Sequence, residues 1–347
     1  MRIEVIHPKE LDRSEVAQWR ALGAQSPYLT PEWAKIVGKA RADARVCVVN
    51  QGQAFFGVQR SSRFAAMGLG APIADYQGLV GSADVDGRDL CAALKVGRID
   101  LSHVPPGQTL FQAAGADGSW IVDTRGGAEA YRAGLKARRA EFLRQTDKKL
   151  RKFEREHGLL TFSADSRDAV HFEVMLVLKN AQLKRTGQPE IWATPWVRQV
   201  LDATFAAQGP HFSGVLFTLC LGERLVAANY FLRAGAVMHD WIMVHDNALD
   251  AYSPGVELAR RAIEWAADNG VAEVDFGPGP YQYKRQLSTG QRMLEWGSVS
   301  RLSLSGAVRQ AEHGIRRIVE RAPHPSLAAL PGKAMRRLDL LRGLSAA

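Results

Sequence analysis

The apolar positions of this chain change their period several times, between the two-residue alternation of strands and the three- to four-residue spacing of helices. In the first 128 residues, short apolar runs bounded by turn residues predict strands at 2–6, 44–50, 53–62, 99–103 and 119–124. Cap residues and N-terminal prolines predict helices from Asp12 to about Ala24, from Pro31, and near 87–95. Alternating strands and helices predict a mixed α/β fold.

The second half of the chain is more regular. Apolar runs predict strands at 159–165, 213–222, 224–235, 236–246, 273–277 and 298–306. Helical spacing predicts helices at 167–185, 196–207 and 255–269, with a short element at 281–287. The three consecutive strands from 213 to 246 are joined by tight turns, which indicates an antiparallel meander; a helix and one further strand follow it.

The length of 347 residues predicts two domains at roughly 150 residues each. We expect a degenerate N-terminal domain at 1–128, a basic connecting helix at 129–157, a catalytic domain at 158–306 and a basic helical tail at 307–347. Each domain has enough chain to bury its own core.

The net charge of +9 is concentrated in two segments. Residues 132–156 hold ten Lys or Arg and four Asp or Glu, residues 301–347 hold nine and three, and the remainder is slightly acidic. This is unlike a uniformly basic nucleic-acid binder, and the basic segments lack interleaved aromatic residues. We expect no specific nucleic-acid partner. The tail is interpreted as solvated or facing a partner, with contact to anionic membrane as the alternative.

The termini and the cysteines favour a cytoplasmic protein, with peripheral association at the inner membrane as the remaining option. The N-terminus lacks the apolar core of a signal peptide, and no apolar stretch is long enough to span a bilayer. The three cysteines, Cys47, Cys91 and Cys220, are far apart and odd in number, so neither a disulfide framework nor a metal site is expected.

Familiar catalytic motifs are missing, including the phosphate-binding P-loop, H-E-x-x-H and G-x-S-x-G. The strand 236–246 places His239 and Trp241 on one face and Asp240 on the other, otherwise apolar face. A carboxylate there needs a partner or a shifted pKa. The histidine is a candidate base, although a structural role suits it equally well.

The segment DFGPGPYQYKRQ combines a carboxylate that ends a strand with two phenols and an ammonium group. These are Asp275, Tyr281, Tyr283 and Lys284. Ligands in α/β proteins bind at the carboxyl ends of strands, so this segment suits proton transfer or the binding of a charged substrate. A purely structural turn is the alternative.

Two loops carry weaker signals. In YSPGV, Tyr252 and Ser253 precede a helix whose first turn holds Gly255 and Val256, and free N–H groups at a helix start attract anions such as a pyrophosphate. Ordinary capping explains the same residues. The uncharged stretch around Asp75-Tyr76-Gln77 lies between glycines and is interpreted as a binding loop or a structural turn.

The segments SPYLTPEWA, ADYQG, QLKRTGQPEIWATPWV, YSPG and DFGPGPYQYKRQ together resemble the CelD/BcsL-type acetyltransferases. These belong to the FemAB-like branch of the Gcn5-related N-acetyltransferase (GNAT) superfamily. The resemblance covers about residues 26–300. It implies an α/β (α+β) fold of two tandem GNAT-like domains with mixed, mostly antiparallel sheets. This chain lacks the R-x-x-G-x-G/A loop with which the family holds a pyrophosphate.

The resemblance implies transfer of an acetyl or other acyl group from acetyl-CoA (acyl-CoA) to an amino sugar of a bacterial exopolysaccharide or its precursor. The implied partners are a carbohydrate or lipid-linked saccharide acceptor and polysaccharide synthesis proteins, and no metal is implied. The catalytic candidates are His239 and Asp275 as general base, with Asp240 third, and Lys284, which matches a lysine that FemAB-like enzymes place at the site after the last core strand. The implied acceptor-binding residues are Asp75, Tyr76, Gln77, Trp241, Tyr281 and Tyr283. The implied donor-binding residues are Tyr252, Ser253, Gly255 and Val256.

Two further functions stay open. One is a FemAB-like ligase that uses aminoacyl-tRNA on peptidoglycan precursors, although the single basic helix lacks the antiparallel partner of a tRNA-holding arm. The other is a non-catalytic GNAT-fold scaffold of a polysaccharide synthesis complex, which the incomplete pyrophosphate loop favours.

Overall fold

The structure is a computed structural model that describes residues 1–82, 84–111 and 113–301, and residues 307, 309, 312 and 340–344 of the tail. The chain forms two compact units, the first from Met1–Asp117 and Met293–Ala347 and the second from Gly118–Arg292. Each unit has its own apolar core.

The first unit begins with a strand and includes most of the last described strand. Its strands are β1 (Ile3–Ile6), β2 (Arg45–Val49), β3 (Ala54–Ser62), β4 (Ala65–Gly68), β5 (Leu79–Gly81) and β6 (Arg98–Val104). Its helices are α1 (Arg13–Ala21), α2 (Pro31–Ala40) and α3 (Gly87–Ala93). The strands follow the order β1-β2-β3-β4-β6, and β5 pairs with β3. The Asp12 and Thr30 side chains cap α1 and α2, as the sequence predicts.

The second unit contains the expected meander. Its strands are β7 (Ala113–Asp123), which begins in the first unit, and β8 (Thr161–Ser163), β9 (Ser213–Leu221), β10 (Arg224–Ala234), β11 (Val237–His245) and β12 (Glu273–Pro278). Its helices are α4 (Gly127–His157), α5 (Ala169–Arg185), α6 (Pro195–Ala206), α7 (Pro254–Asp268) and α8 (Gln282–Leu287).

The strands of the second unit follow the order β8-β9-β10-β11-β12-β7. All neighbours are antiparallel except β11 and β12, which are parallel because α7 connects them. Helices α4 and α7 share one apolar core with the sheet, while α5 and α6 pack on strands β9, β10 and β11. The mixed, mostly antiparallel α/β sheet confirms the predicted fold class.

Two irregularities in β11 decide where its side chains lie. Its register with β10 shifts between Tyr230 and Phe231, which oppose Ile242 and Asp240, so Trp241 is the extra residue of a β-bulge. Its parallel register with β12 covers only three pairs and ends at His239 and Asp275. Asp240 is therefore the first residue of β11 beyond the paired segment.

The last described strand starts earlier than the sequence predicts, and the basic helix is irregular. The last strand, β13 (Gly290–Ser300), starts eight residues before the predicted strand, and its residues from Glu295 pair with β6 of the first unit instead of completing the second. Helix α4 has non-helical dihedral angles at Arg139, and it lies within the second unit. The predicted tail helices fall almost wholly outside the described residues. In the described part of the chain, no helix is long and apolar enough to cross a membrane.

Candidate active site

The site lies in the second unit, at the point where β11 and β12 stop pairing. The Asp240 side chain is 6% exposed and its Oδ2 accepts a hydrogen bond from the Tyr283 hydroxyl at 3.3 Å. Burial raises the pKa of Asp240 above its usual range, although the charges of Lys284, His239 and Lys179 act in the opposite direction. A carboxylate with a raised pKa is a stronger base than an exposed one, so this group suits proton transfer.

Tyr283 keeps its proton in this environment. Burial is the main cause that raises its pKa well above the usual value, and the nearby Asp240 carboxylate adds to the effect. Its ring packs against Phe276 at 5.8 Å between centroids, in an edge-on arrangement. The phenol is therefore a fixed hydrogen-bond donor beside the Asp240 carboxylate.

Lys284 belongs to the short helix α8, which turns back towards β12 after the glycines at 277 and 279. Its side chain is buried, and Nζ donates to the backbone carbonyls of Phe276 and, at 3.2 Å, of Pro278. Nζ also lies 5.4 Å from the ring centroid of Tyr281, which is exposed. The loop thus holds an ammonium group by its own carbonyls, close enough to Asp240 to affect its pKa.

His239 and Asp275 form a second, more enclosed pair on the last rung between β11 and β12. His239 Nδ1 lies 3.7 Å from Asp275 Oδ2, and both side chains are almost completely buried. Asp275 Oδ1 accepts hydrogen bonds from Ser119 Oγ at 2.6 Å and from the Gly277 amide at 2.7 Å. Arg292 Nη1 is 3.9 Å from Oδ2. The geometry makes this carboxylate an anchor of the strand ends.

Trp241, the residue of the β-bulge, lies in an aromatic group on the α5 and α6 side of the sheet. Its ring is 5.7 Å from Trp192 and 6.0 Å from Tyr230, and it is 9% exposed. The bulge therefore turns the Trp241 ring towards α5 and α6. Because Trp241 follows Asp240 in the chain, its ring stays a candidate contact for the acceptor.

The start of α7 faces the end of β11 and is contacted by α4. An added Cβ at Gly255 would lie 3.3 Å from Met243 Sδ and 3.4 Å from His245 Nδ1, so glycine allows this close approach. Ser253 has a left-handed backbone, and its Oγ accepts a hydrogen bond from Lys149 Nζ at 2.8 Å. The Val256 amide bonds the Ser253 carbonyl.

Tyr252 connects the same loop to the end of α4. Its hydroxyl donates to Glu156 Oε2 at 2.6 Å and lies 3.2 Å from His157 Nε2, and Lys152 Nζ is 5.5 Å from its ring centroid. The sequence places Lys149 and Lys152 on a distant connecting helix. The structure brings both lysines to the loop that the sequence predicts to bind the donor.

The three candidates Asp75, Tyr76 and Gln77 lie in the first unit. Tyr76 is fully buried, and Gln77 is 4% exposed with its Oε1 accepting a hydrogen bond from the Ser102 amide at 3.0 Å. An added Cβ at Gly68 would come within 2.3 Å of the Gln77 side chain, so the amide occupies a tightly packed position. Gln77 thus holds β6 and the end of β4 in place; Asp75 is half-buried.

Sequence reasoning missed Lys179 and Ser119. Lys179 lies on α5, with Nζ donating to the Met243 carbonyl at 3.1 Å, and burial lowers its pKa while Asp240 raises it. Ser119 is fully buried on β7 and bonds Asp275. Both residues lie on elements that are remote in sequence from Asp240 and Asp275. The one signal in the sequence is that Lys179 lies among the apolar residues of α5. In the described residues, no group of three or more metal-ligating side chains occurs.

Comparison with known proteins supports the fold of this unit. Residues 140–285 match the family described as an acetyltransferase (GNAT) domain, and this segment includes Asp240, Asp275 and Lys284. No curated protein matches the chain. The crystal structure of FemX is similar with a TM-score of 0.61 and 11% identity, over 90% of this chain and all of that one.

A second solved structure is the C-terminal domain of a putative lysylphosphatidylglycerol synthetase from Agrobacterium fabrum. Its TM-score is 0.55 with 12% identity, over 87% of this chain and 95% of that one. At these identities the likeness concerns the fold alone. Together with the matched domain, it shows that the chain carries a GNAT-fold acyltransferase domain, with FemX among proteins of similar fold.

Proposed function

We propose that this protein is an N-acyltransferase that moves an acetyl or other acyl group from acyl-CoA to an amine. The observation that carries the proposal is Asp240, a buried carboxylate with a raised pKa, beyond the last paired rung of β11 and β12 within the matched GNAT segment. An acyltransferase acting on an amine needs a base at such a place, because the acceptor nitrogen must lose its proton before or during attack.

Each residue of the cluster has a distinct part in the reaction. The acceptor nitrogen attacks the thioester carbon, the C–S bond breaks, and the sulfur leaves as the thiolate of CoA. Asp240 takes the proton that the nitrogen loses. Tyr283 donates a hydrogen bond to the Asp240 carboxylate and holds it in position. Backbone N–H groups of β11 stabilise the charge on the thioester oxygen.

His239 and Asp275, which the sequence favours as bases, are better suited to positioning. Asp275 already accepts two hydrogen bonds on one oxygen, and His239 and Arg292 lie near the other. The Asp275 oxygens are therefore already engaged within the fold. The pair fixes the two strand ends between which Asp240 and Lys284 work.

The donor is proposed to lie at the start of α7, between Tyr252, Ser253, Gly255 and Val256. Lys149 and Lys152 supply positive charge for a phosphate at this helix start, where the family's arginine- and glycine-rich loop is lacking and the Ser253 and Val256 amides already bond backbone carbonyls. The proposed acceptor is an amino sugar of a bacterial exopolysaccharide or a lipid-linked precursor, which follows from the resemblance to CelD/BcsL-type enzymes. Polysaccharide synthesis proteins are the proposed partners.

The test is acceptor-dependent cleavage of acetyl-CoA by the full chain. We expect thiol release and N-acetylated product with amino sugars such as glucosamine, and binding of acetyl-CoA by calorimetry without acceptor. Asp202→Asn, an exposed carboxylate on α6, is the control that keeps activity. Absence of both acetyl-CoA binding and thiol release overturns the proposal and favours the scaffold.

A second candidate is aminoacyl transfer from tRNA, which one observation favours. Lys148, Arg151, Lys152 and Arg155 are exposed on α4 at spacings that place them on one helix face. Such a stripe suits a phosphate backbone. Activity that needs charged tRNA, alongside no acetyl-CoA binding, selects this candidate over the first.

A further inference from the structure

Lys179 is a half-buried lysine to which the proposed reaction assigns no role. It lies on α5, which packs on β10 and β11, and its Nζ donates to the Met243 carbonyl at 3.1 Å. Met243 belongs to the part of β11 beyond its last pair with β12. The Lys179 ammonium group therefore contacts the same segment of β11 that carries Asp240, although α5 precedes β11 by about fifty residues.

Three charges act on one another at this point. Asp240 raises the pKa of Lys179 and Lys284 lowers it, while both lysines lower the pKa of Asp240. The two ammonium groups bond backbone carbonyls on the two strands that part beside Asp240, Lys179 that of Met243 on β11 and Lys284 those of Phe276 and Pro278 on β12.

Neither ammonium group is paired with a carboxylate among the described residues. The hydrogen bonds of Lys284 go to the Phe276 and Pro278 carbonyls, and that of Lys179 goes to the Met243 carbonyl. Burial penalises a charge that lacks a counter-ion. The cluster therefore has an excess of positive charge even when Asp240 is ionised, and two positive charges when it is protonated.

Resting on the proposed function, we propose that the acceptor amine carries a negatively charged group, a phosphate or a carboxylate, which Lys179 and Lys284 hold beside Asp240. An anion there supplies the missing counter-charge. Lys179 is then a specificity-determining residue, and an uncharged amino sugar is a poor acceptor.

The test compares three acceptors that differ in one substituent: glucosamine, glucosamine 6-phosphate and 2-amino-2-deoxyglucuronic acid. With the wild-type chain we expect kcat/KM for at least one anionic acceptor to exceed that for glucosamine about tenfold, mostly through KM. The arm that shows the preference identifies phosphate or carboxylate as the anion.

The variant Lys179→Met removes the charge and keeps the length of the side chain. We expect the preference ratio to fall to about twofold or less, and Lys179→Arg to restore part of it. Lys184→Met, an exposed lysine of the same helix, is the matched control and keeps the wild-type ratio. A purely structural role for Lys179 would lower kcat/KM for all three acceptors by the same factor.

Equal kcat/KM for charged and uncharged acceptors in the wild-type chain overturns this inference and leaves the proposed acyl transfer standing. A Lys179→Met variant that keeps the full preference also overturns it. Absence of acetyl-CoA cleavage with every acceptor, by contrast, overturns the proposed function itself.

Discussion

Two buried carboxylates lie on neighbouring strands of the second unit, one residue apart in register, and their surroundings differ sharply. Asp275 is on the last paired rung of β11 and β12 and accepts two short hydrogen bonds, with His239 and Arg292 nearby. Asp240 is just beyond that rung, and among the described residues it accepts one hydrogen bond, of 3.3 Å, from Tyr283.

The two carboxylates differ because β11 and β12 stop pairing between them. Where β11 and β12 pair, the backbone and its neighbours supply hydrogen-bond donors to the buried Asp275 carboxylate. Where the strands part, a carboxylate is buried without enough donors, and its pKa rises. The first arrangement suits an anchor of the fold, and the second suits the proposed base.

Replacing the base should have the largest effect. We expect Asp240→Asn to lower kcat about 100-fold or more, because the amide cannot take the proton from the acceptor nitrogen. Single-turnover acetyl transfer measures the rate, and circular dichroism checks that the variant is folded. A kcat within threefold of the wild type would contradict the role of Asp240.

Replacing the anchor should act on stability. We expect Asp275→Ala to lower the free energy of unfolding by about 3 kcal/mol, because Ser119 and the Gly277 amide lose their buried acceptor. Urea unfolding measures this, with the exposed Asp202→Asn as control. A loss below about 0.5 kcal/mol would contradict the anchoring role.

The pH dependence of the free energy of unfolding should report the raised pKa of Asp240. The Asp240 carboxyl has a usual pKa of 3.8 and a raised pKa in the folded state, so the folded state binds more protons and stability falls as pH rises from about 4 through the folded pKa. His239, Lys179, Lys284 and Tyr283 face this group. Asp240→Asn should therefore raise Tm at pH 8 by about 2–4 °C and change it little near pH 4. A larger gain at pH 4 than at pH 8 would reverse the sign of this argument.

The smallest effect should come from removing one donor of the anchor. Ser119→Ala deletes the 2.6 Å hydrogen bond to Asp275 and leaves the Gly277 amide in place. We expect a loss of about 1 kcal/mol in urea unfolding and a kcat within about twofold of the wild type. If kcat instead fell as far as in Asp240→Asn, Asp275 would be acting in the chemistry.

Much of the second unit could be predicted from the sequence. The three tightly connected strands, the following helix and the strand ending at Asp275 are where periodicity places them, because local alternation and short turns specify an antiparallel meander. The strand around 290–300 was harder. The sequence predicts a strand only at 298–306, which overlaps the observed strand at its last three residues, and pairing with β6, which is remote in sequence, leaves no local signal.

The candidate site was only partly predictable for the same reason. Asp240 and Lys284 draw attention in the sequence because a carboxylate on an apolar strand and an ammonium after a glycine-rich strand end are unusual. Lys179, Ser119 and Lys149 do not, because each is an ordinary residue on an ordinary element. Their importance depends on which strand or loop they contact.

The sequence by itself determined the α/β class, the meander and the segments that hold the candidate chemistry, because these follow from short-range periodicity and turn residues. Only the tertiary structure decided which carboxylate is held by several donors and which one is left as the proposed base. That choice depends on where two parallel strands stop pairing, and so on how many donors each buried oxygen finds.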